Sequence, residues 1–276
     1  MDELRRLNRL LARPEHEIGL AEGALLLARC DYPQLDVAAY LQRLDHLADA
    51  VRRRLPDAAT LTDKIFALNG QLFEAEGFRG DDDDYFDPRN SFLNEVLDRK
   101  RGLPITLSIV YIEVGRRLGL PLEGVSFPGH FLVKLPVHGG GIVLDPYFAG
   151  ESLSEEELRA RLEAASGSES PRALNEALEA ASKQQILLRV LRNLKHLYYQ
   201  RAQYDKALQV TDRILCLVPD ISGEVRDRAQ ILEKLECFHS ALQNYYRYLE
   251  LSPDALDAFQ IRERIVGLQA VQRRLQ

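Results

Sequence analysis

Residues Tyr204, Ala207, Leu208, Leu215 and Pro219 are followed 34 positions later by Phe238, Ala241, Leu242, Leu249 and Pro253. A period of that length, carried by apolar residues at helical spacing, describes stacked helix pairs, none of which can bury its apolar face alone. Ala207 and Ala241 fall where two antiparallel helices approach most closely, so a larger side chain would push them apart. The prolines end the second helix of each pair. Two pairs bury little, so docking on flanking helices near Gln185 and over residues 259–275, or on the region in front, is expected.

That preceding region is also helical at its start. Leu35, Ala38, Ala39, Leu41, Leu44, Leu47, Ala48, Val51 and Leu55 recur at helical spacing within residues 14–78, with Pro33, Pro56 and Gly70 as punctuation. A loop over 77–88 follows. Its acidic run, Asp81 to Asp84, lacks the alternating ligands, central glycine and distal glutamate of a calcium loop, and reads as a solvated turn. Residues 90–101 and 104–118 read as two helices. The second, entered through Gly102 and Pro104, is apolar nearly all round and should be buried.

Beyond Gly119 and Pro121 the composition changes to short β-branched and aromatic segments, 122–127, 130–135 and 141–144. The last two flank Pro136–Gly140, which suits a hairpin turn. An antiparallel pair keeps a constant index sum. A turn centred near 137.5 brings His130 opposite Asp145.

A buried helix entered through glycine, a strand beginning with His and a strand ending in Asp–Pro follow one another in papain-like and transglutaminase-like folds. There a cysteine at the helix N-terminus is held toward thiolate by the dipole and the histidine, and the carboxylate orients the imidazole. This chain supplies His130 and Asp145. The nucleophile position falls on Pro104 or Ile105, and the cysteines lie elsewhere: Cys30 in the first helical region, Cys216 and Cys237 in the repeats. Thr106 and Ser108 are the nearby hydroxyls, far weaker nucleophiles unless activated. His138 beside Gly139–Gly141 reads as an exposed loop residue.

The stretch DYFDPRNSFLNEVLDRKRGLPITLSIVYIEVGRRLGLPLEGVSFPGHFLVKL, together with GIVLDPYFAG, resembles the bacterial SirB family of transglutaminase-like, tetratricopeptide-containing proteins. The likeness covers residues 60–155, and the repeats at 188–255 fit it. Leu191, Leu194, Tyr198, Ala207 and Pro219, then Leu232, Ala241, Tyr245 and Pro253, stand at tetratricopeptide offsets; Lys195, Ala229 and Arg228 depart from the pattern. The resemblance implies an α+β, predominantly helical chain: a degenerate transglutaminase-like core with a small antiparallel sheet, then the helical repeats. It also implies that Pro–Ile–Thr–Leu stands where active enzymes carry the cysteine, and that relatives have regulatory or accessory roles.

Residues 1–162 are therefore expected to form the helical region and core, 163–187 a linker plus helix, and 188–276 the repeats with a capping helix. Composition narrows the function. Three cysteines without paired spacing suggest reduced, buried thiols and no metal site. Residues 1–182 carry 21 basic against 31 acidic side chains and residues 183–276 carry 15 against 11, without the dense basic stripe of a nucleic-acid binder. The absence of a long apolar run or a signal-peptide core points to a cytoplasmic protein with no membrane association. A non-catalytic interaction protein, binding a protein or peptide through the repeats and the cleft without a cofactor, is expected. The alternative is an amidase or peptidase using Thr106 or Ser108 with His130 and Asp145.

Overall fold

A computed structural model describes residues 2–167 and 170–275. The chain divides between Val190 and Leu191 into two units. The first opens with helices α1 (Asp2–Leu11), α2 (Leu20–Arg29), α3 (Val37–Arg52) and α4 (Leu61–Asn69). Asp36 caps α3 by accepting the Ala39 N–H at 3.1 Å, and Thr60 and Asp63 form a reciprocal capping box on α4. Gly70 does not end α4 as expected; the backbone continues as a wider π-helical turn over Gly70–Ala75.

Next comes a two-residue parallel pair, β1 (Arg79–Gly80) with β2 (Arg101–Gly102), enclosing α5 (Leu93–Arg99). The single helix read over 90–101 is thus a 3-10 turn at Pro88–Ser91, a shorter α5 and a strand. Asp87 caps the turn, and Lys100 leaves the helix in the left-handed region. Helix α6 (Pro104–Arg117) is buried from Pro104 through Gly115, as its all-round apolar pattern demands. Glu113, the charged residue in that stretch, is 2% exposed and accepts hydrogen bonds from Arg117 at 2.7 Å and Arg116 at 3.2 Å. Helices α2 to α5 pack on α6, as do strands β3 (Glu123–Val125) and β4 (Leu132–Val137).

The antiparallel sheet runs β3-β4-β5-β6, with β5 at Gly140–Asp145 and β6 at Glu151–Leu153. Val133 lies opposite Leu144 and Val137 opposite Gly140, so the turn is His138–Gly139, centred one residue later than expected. Gly139, at φ +85°, supplies the backbone conformation a two-residue turn requires, whereas Pro136 and Gly140 belong to the ladder. His138 is exposed there. Behind the sheet, Leu158 and Leu162 of α7 (Glu155–Ser166) and Leu174 of α8 (Pro171–Ala177) are buried against Val125, Phe127, Leu132 and Val143.

Asp81 corrects the solvated-turn expectation. It is 2% exposed and ion-paired to Arg99 at 3.0 Å and Arg101 at 3.1 Å, while Asp82, Asp83 and Asp84 are exposed. The cysteines also differ from expectation: all are free thiols, but Cys216 and Cys237 are exposed and Cys30 is partly buried. They fall on helix ends and outer faces rather than in the cores. Among the described residues no helix is long and apolar enough to cross a membrane.

The division falls within α9 (Lys183–Gln200). The second unit continues with α10 (Tyr204–Leu217), α11 (Ser222–Lys234), α12 (Phe238–Leu251) and α13 (Ala258–Leu275). The period is visible in the backbone, since Ala202 and Glu236, 34 positions apart, both take a left-handed φ in the turn inside a helix pair. Ala207 and Ala241 are fully buried. Val225, Leu232, Leu242, Tyr245 and Tyr248 form a core with Ile261, Ile265 and Leu268 of α13, so the last helix closes the stack. The departures from the repeat pattern are absorbed by charge: Lys195 pairs with Glu224 and Asp227, and Arg228 with Asp212. Ala241→Leu is expected to destabilise the chain by about 1–3 kcal/mol through overpacking. An unchanged urea midpoint would show that the close approach at Ala241 is unimportant.

Candidate functional site

The histidine and aspartate that the sequence pairs across the hairpin do meet. His130 lies in a bend ahead of β4 rather than beginning a strand. Its backbone N–H donates to the Phe127 carbonyl at 3.2 Å, and its Nε2 lies 3.0 Å from Asp145 Oδ1. Asp145 is the last residue of β5, and local chemistry fixes its rotamer. Pro146 opens a 3-10 turn over Pro146–Phe148, and the Asp145 carboxylate caps it by accepting the Tyr147 N–H at 3.1 Å. The turn closes through two left-handed residues, Ala149 and Gly150. A Cβ on Gly150 would come within 2.4 Å of Asn69 Oδ1, so the Ala–Gly ending is required by close packing as well as by φ.

This turn packs against α6 and β1, which sets the dyad beside the buried helix. Asp145 has no solvent exposure. Its second oxygen accepts a 2.9 Å hydrogen bond from Arg161 Nη1 on α7. Burial pushes the carboxyl pKa up, but hydrogen bonds and charge from His130, and then from Arg161, outweigh it and hold the group below the usual carboxylate range. With Nε2 on the aspartate, Nδ1 is the imidazole nitrogen left to face a ligand. No cysteine is among the ring's contacts within the described residues.

The positions read as nucleophile candidates have other duties. Pro104 and Ile105 are buried. Thr106, 1% exposed, uses its hydroxyl to tie the helix start down: Oγ1 donates to the Asn90 carbonyl at 2.7 Å and accepts the Leu103 N–H at 3.0 Å. Gly102 gives it room, since a Cβ there would lie 2.8 Å from that oxygen. Ser108 has no exposure, and its hydroxyl has no hydrogen-bond partner among the described residues. Neither hydroxyl shares a hydrogen bond with His130 among the described residues.

Several site residues escaped sequence reasoning. The His130 ring stacks on Phe148 at 6.3 Å and meets Tyr147 edge-on at 6.0 Å. Tyr147 also donates its hydroxyl to Asp82 at 2.7 Å and lies flat on Gly80, where a Cβ would strike the ring at 2.4 Å. Tyr85 meets Tyr147 and Phe86 edge-on. Tyr85, Phe86 and Phe148 are 40%, 52% and 50% exposed, so with Tyr147 they form a collar of linked rings that begins at the His130 ring and is open to solvent. Arg189 of α9 donates from Nη2 to the carbonyls of His130, at 2.6 Å, and Phe127, at 3.1 Å, and lies over the Phe131 ring. The adjacency of Tyr147 and Phe148 to Asp145–Pro146 was a usable local signal. Arg161 and Arg189 carry none, being 16 and 44 positions from Asp145 along the chain.

Because Asp145 is ionised in the fold below its ordinary pKa, its contribution to stability is present above that value and is lost as pH falls through the lowered one. Asp145→Asn is therefore expected to cost about 3 kcal/mol near neutral pH, with the gap to wild type closing below about pH 4. Urea unfolding of both proteins across that range checks this, and a gap independent of pH would contradict it.

Comparison with known proteins follows the same two-part division. Residues 38–192 match the model of the transglutaminase-like superfamily, and residues 194–266 match a tetratricopeptide repeat model. A UPF0162 protein of Xylella fastidiosa (strain Temecula1) is 41% identical over 263 residues, 95% of this chain and 94% of the relative. One from Vibrio cholerae is 33% identical over 238 residues, 85% and 87% of the two chains. Protein SirB1 of Salmonella typhimurium is 30% identical over 251 residues, covering 89% and 91%. A buried helix carrying no thiol at its start, a histidine–aspartate dyad beside it and helical repeats later in the sequence are thus set in a chain that belongs to the transglutaminase-like, tetratricopeptide-containing family of the UPF0162 and SirB1 proteins.

Proposed function

We propose that the chain is a non-catalytic interaction and regulatory protein of the cytoplasm, in which the transglutaminase-like cleft holds a ligand and the repeats present a surface to a protein partner. The observation that carries this reading is the start of α6. Where a thiolate would attack, Pro104 and Ile105 are buried aliphatic groups, and the hydroxyl of Thr106 is spent on the backbone of Asn90 and Leu103. An imidazole oriented by a carboxylate here has no hydrogen-bonded protein nucleophile to deprotonate among the described residues. It retains value as a polar anchor inside an exposed aromatic collar. The free thiols and the lack of a membrane-crossing helix among the described residues fit a cytoplasmic address.

One observation favours a second reading, a hydrolase. Ser108 Oγ, on the helix against which the dyad's turn packs, is buried without a partner among the described residues, and an orphaned hydroxyl is the kind of group a rearrangement could recruit. Purified full-length protein incubated with peptide and primary-amide substrates, with and without an added amine, separates the two. No turnover above buffer is expected for wild type or for His130→Ala. Turnover that disappears in both His130→Ala and Ser108→Ala would establish the hydrolase instead.

A further inference from the structure

A guanidinium without a counter-ion stands beside the dyad. Arg189 makes two hydrogen bonds, both from Nη2 and both to backbone carbonyls, of Phe127 and His130. No carboxylate lies within ion-pair distance of it among the described residues, although other partly buried arginines in this unit, such as Arg99 and Arg117, each have one. Burial draws its pKa below the ordinary arginine value. Arg189 is partly buried, and arginine cannot shed its charge by losing a proton, so an anion there would be favoured. The Nε–H and both Nη1 hydrogens have no protein acceptor among the described residues.

The surroundings define what could complete it. Arg161 is matched by Asp145 and offers its remaining donors beside the Phe148 face, 5.9 Å from the ring centroid. Arg189 holds the His130 carbonyl and Asp145 holds its Nε2, which leaves Nδ1 as the ring nitrogen for a ligand. Arg161 and Asp145 cancel, and Asp82, which accepts the Tyr147 hydroxyl, is a further carboxylate at the same rings, so a monoanion meets less repulsion beside Arg189 than a phosphate dianion does. The exposed rings of Tyr85, Phe86 and Phe148 would cover an apolar group attached to that anion.

We propose that the dyad site binds a carboxylate attached to an apolar or aromatic group, of the kind a peptide carries, with the free Nε–H or Nη1–H groups of Arg189 as the charged donors that receive the carboxylate and Phe148 beside the apolar part. The inference rests on the ligand-holding reading of the cleft above and names the chemistry of its ligand. The dyad then positions donors for an anion instead of activating a nucleophile.

The test titrates the full-length protein with phenylacetate, phenylacetamide and inorganic phosphate at constant ionic strength, read by ligand-observed proton NMR and calorimetry. Phenylacetate is expected to bind, and phenylacetamide, of nearly the same shape but neutral and with one acceptor oxygen replaced by a donor, at least about tenfold more weakly. Phosphate should not displace the acid. Arg189→Gln should weaken phenylacetate by at least about tenfold, Arg189→Lys by less because the charge remains, and Phe148→Ala should weaken phenylacetate while leaving the circular dichroism spectrum unchanged. Equal binding of acid and amide, displacement by phosphate, or an undiminished affinity in a folded Arg189→Gln protein would overturn the proposal. Should Arg189→Gln not fold, the acid–amide comparison and Phe148→Ala still decide. The same spectra separate the two readings: hydrolysis of phenylacetamide to phenylacetate and ammonia would refute the non-catalytic role, whereas absence of phenylacetate binding would refute the carboxylate ligand alone.

Discussion

Burial of α6 on every side is the constraint from which the first unit follows. A helix apolar around its whole circumference cannot lie on a surface, so helices must cover one side and a sheet the other. The remaining polar groups are then forced into specific pairings. Glu113 is answered by Arg116 and Arg117, and the Thr106 hydroxyl by the backbone at Asn90 and Leu103. The end of the helix that would serve chemistry in a thiol enzyme is here sealed by aliphatic packing and by its own threonine.

Asp145 is the electrostatic centre of the site. One buried carboxylate caps a turn, orients an imidazole and holds Arg161, three tasks that each favour its ionised form and together overcome the penalty of burial. That concentration of duties gives the carboxylate a structural role independent of any chemistry at the dyad. Losing the carboxylate would release the Pro146–Phe148 turn and the rings it carries, so the architecture of the collar and the geometry of the dyad are one arrangement.

The repeats solve a different problem. Their helices are amphipathic, and each pair depends on the next for burial, with α13 supplying the last layer. Close approach at Ala207 and Ala241 tolerates no bulk, but the positions where the pattern departs from its usual small or apolar residues lie next to acids. Lys195 and Arg228 there form ion pairs with Glu224, Asp227 and Asp212 instead of filling the core. Periodicity is thus kept where packing is tight and relaxed where solvent or charge can compensate.

Much of this was legible in the chain alone because it depends on neighbours close in sequence. Helical spacing, the 34-residue period, the all-round apolar character of α6 and the partnership of His130 with Asp145 arise from local periodicity or from one hairpin, and the absence of cysteine at the helix start is a plain fact of composition. The hairpin register came out one residue late because the φ freedom of Gly139, not the centre of a glycine-rich stretch, sets the turn. What tertiary structure decided was charge. Asp81 looked solvated until Arg99 and Arg101 closed over it, and Arg161 and Arg189 carry no local mark of their place at the dyad. Periodicity reports which face of an element is buried. Which charges meet there, and which is left without a partner, depends on segments distant along the chain and brought within a few ångströms by packing.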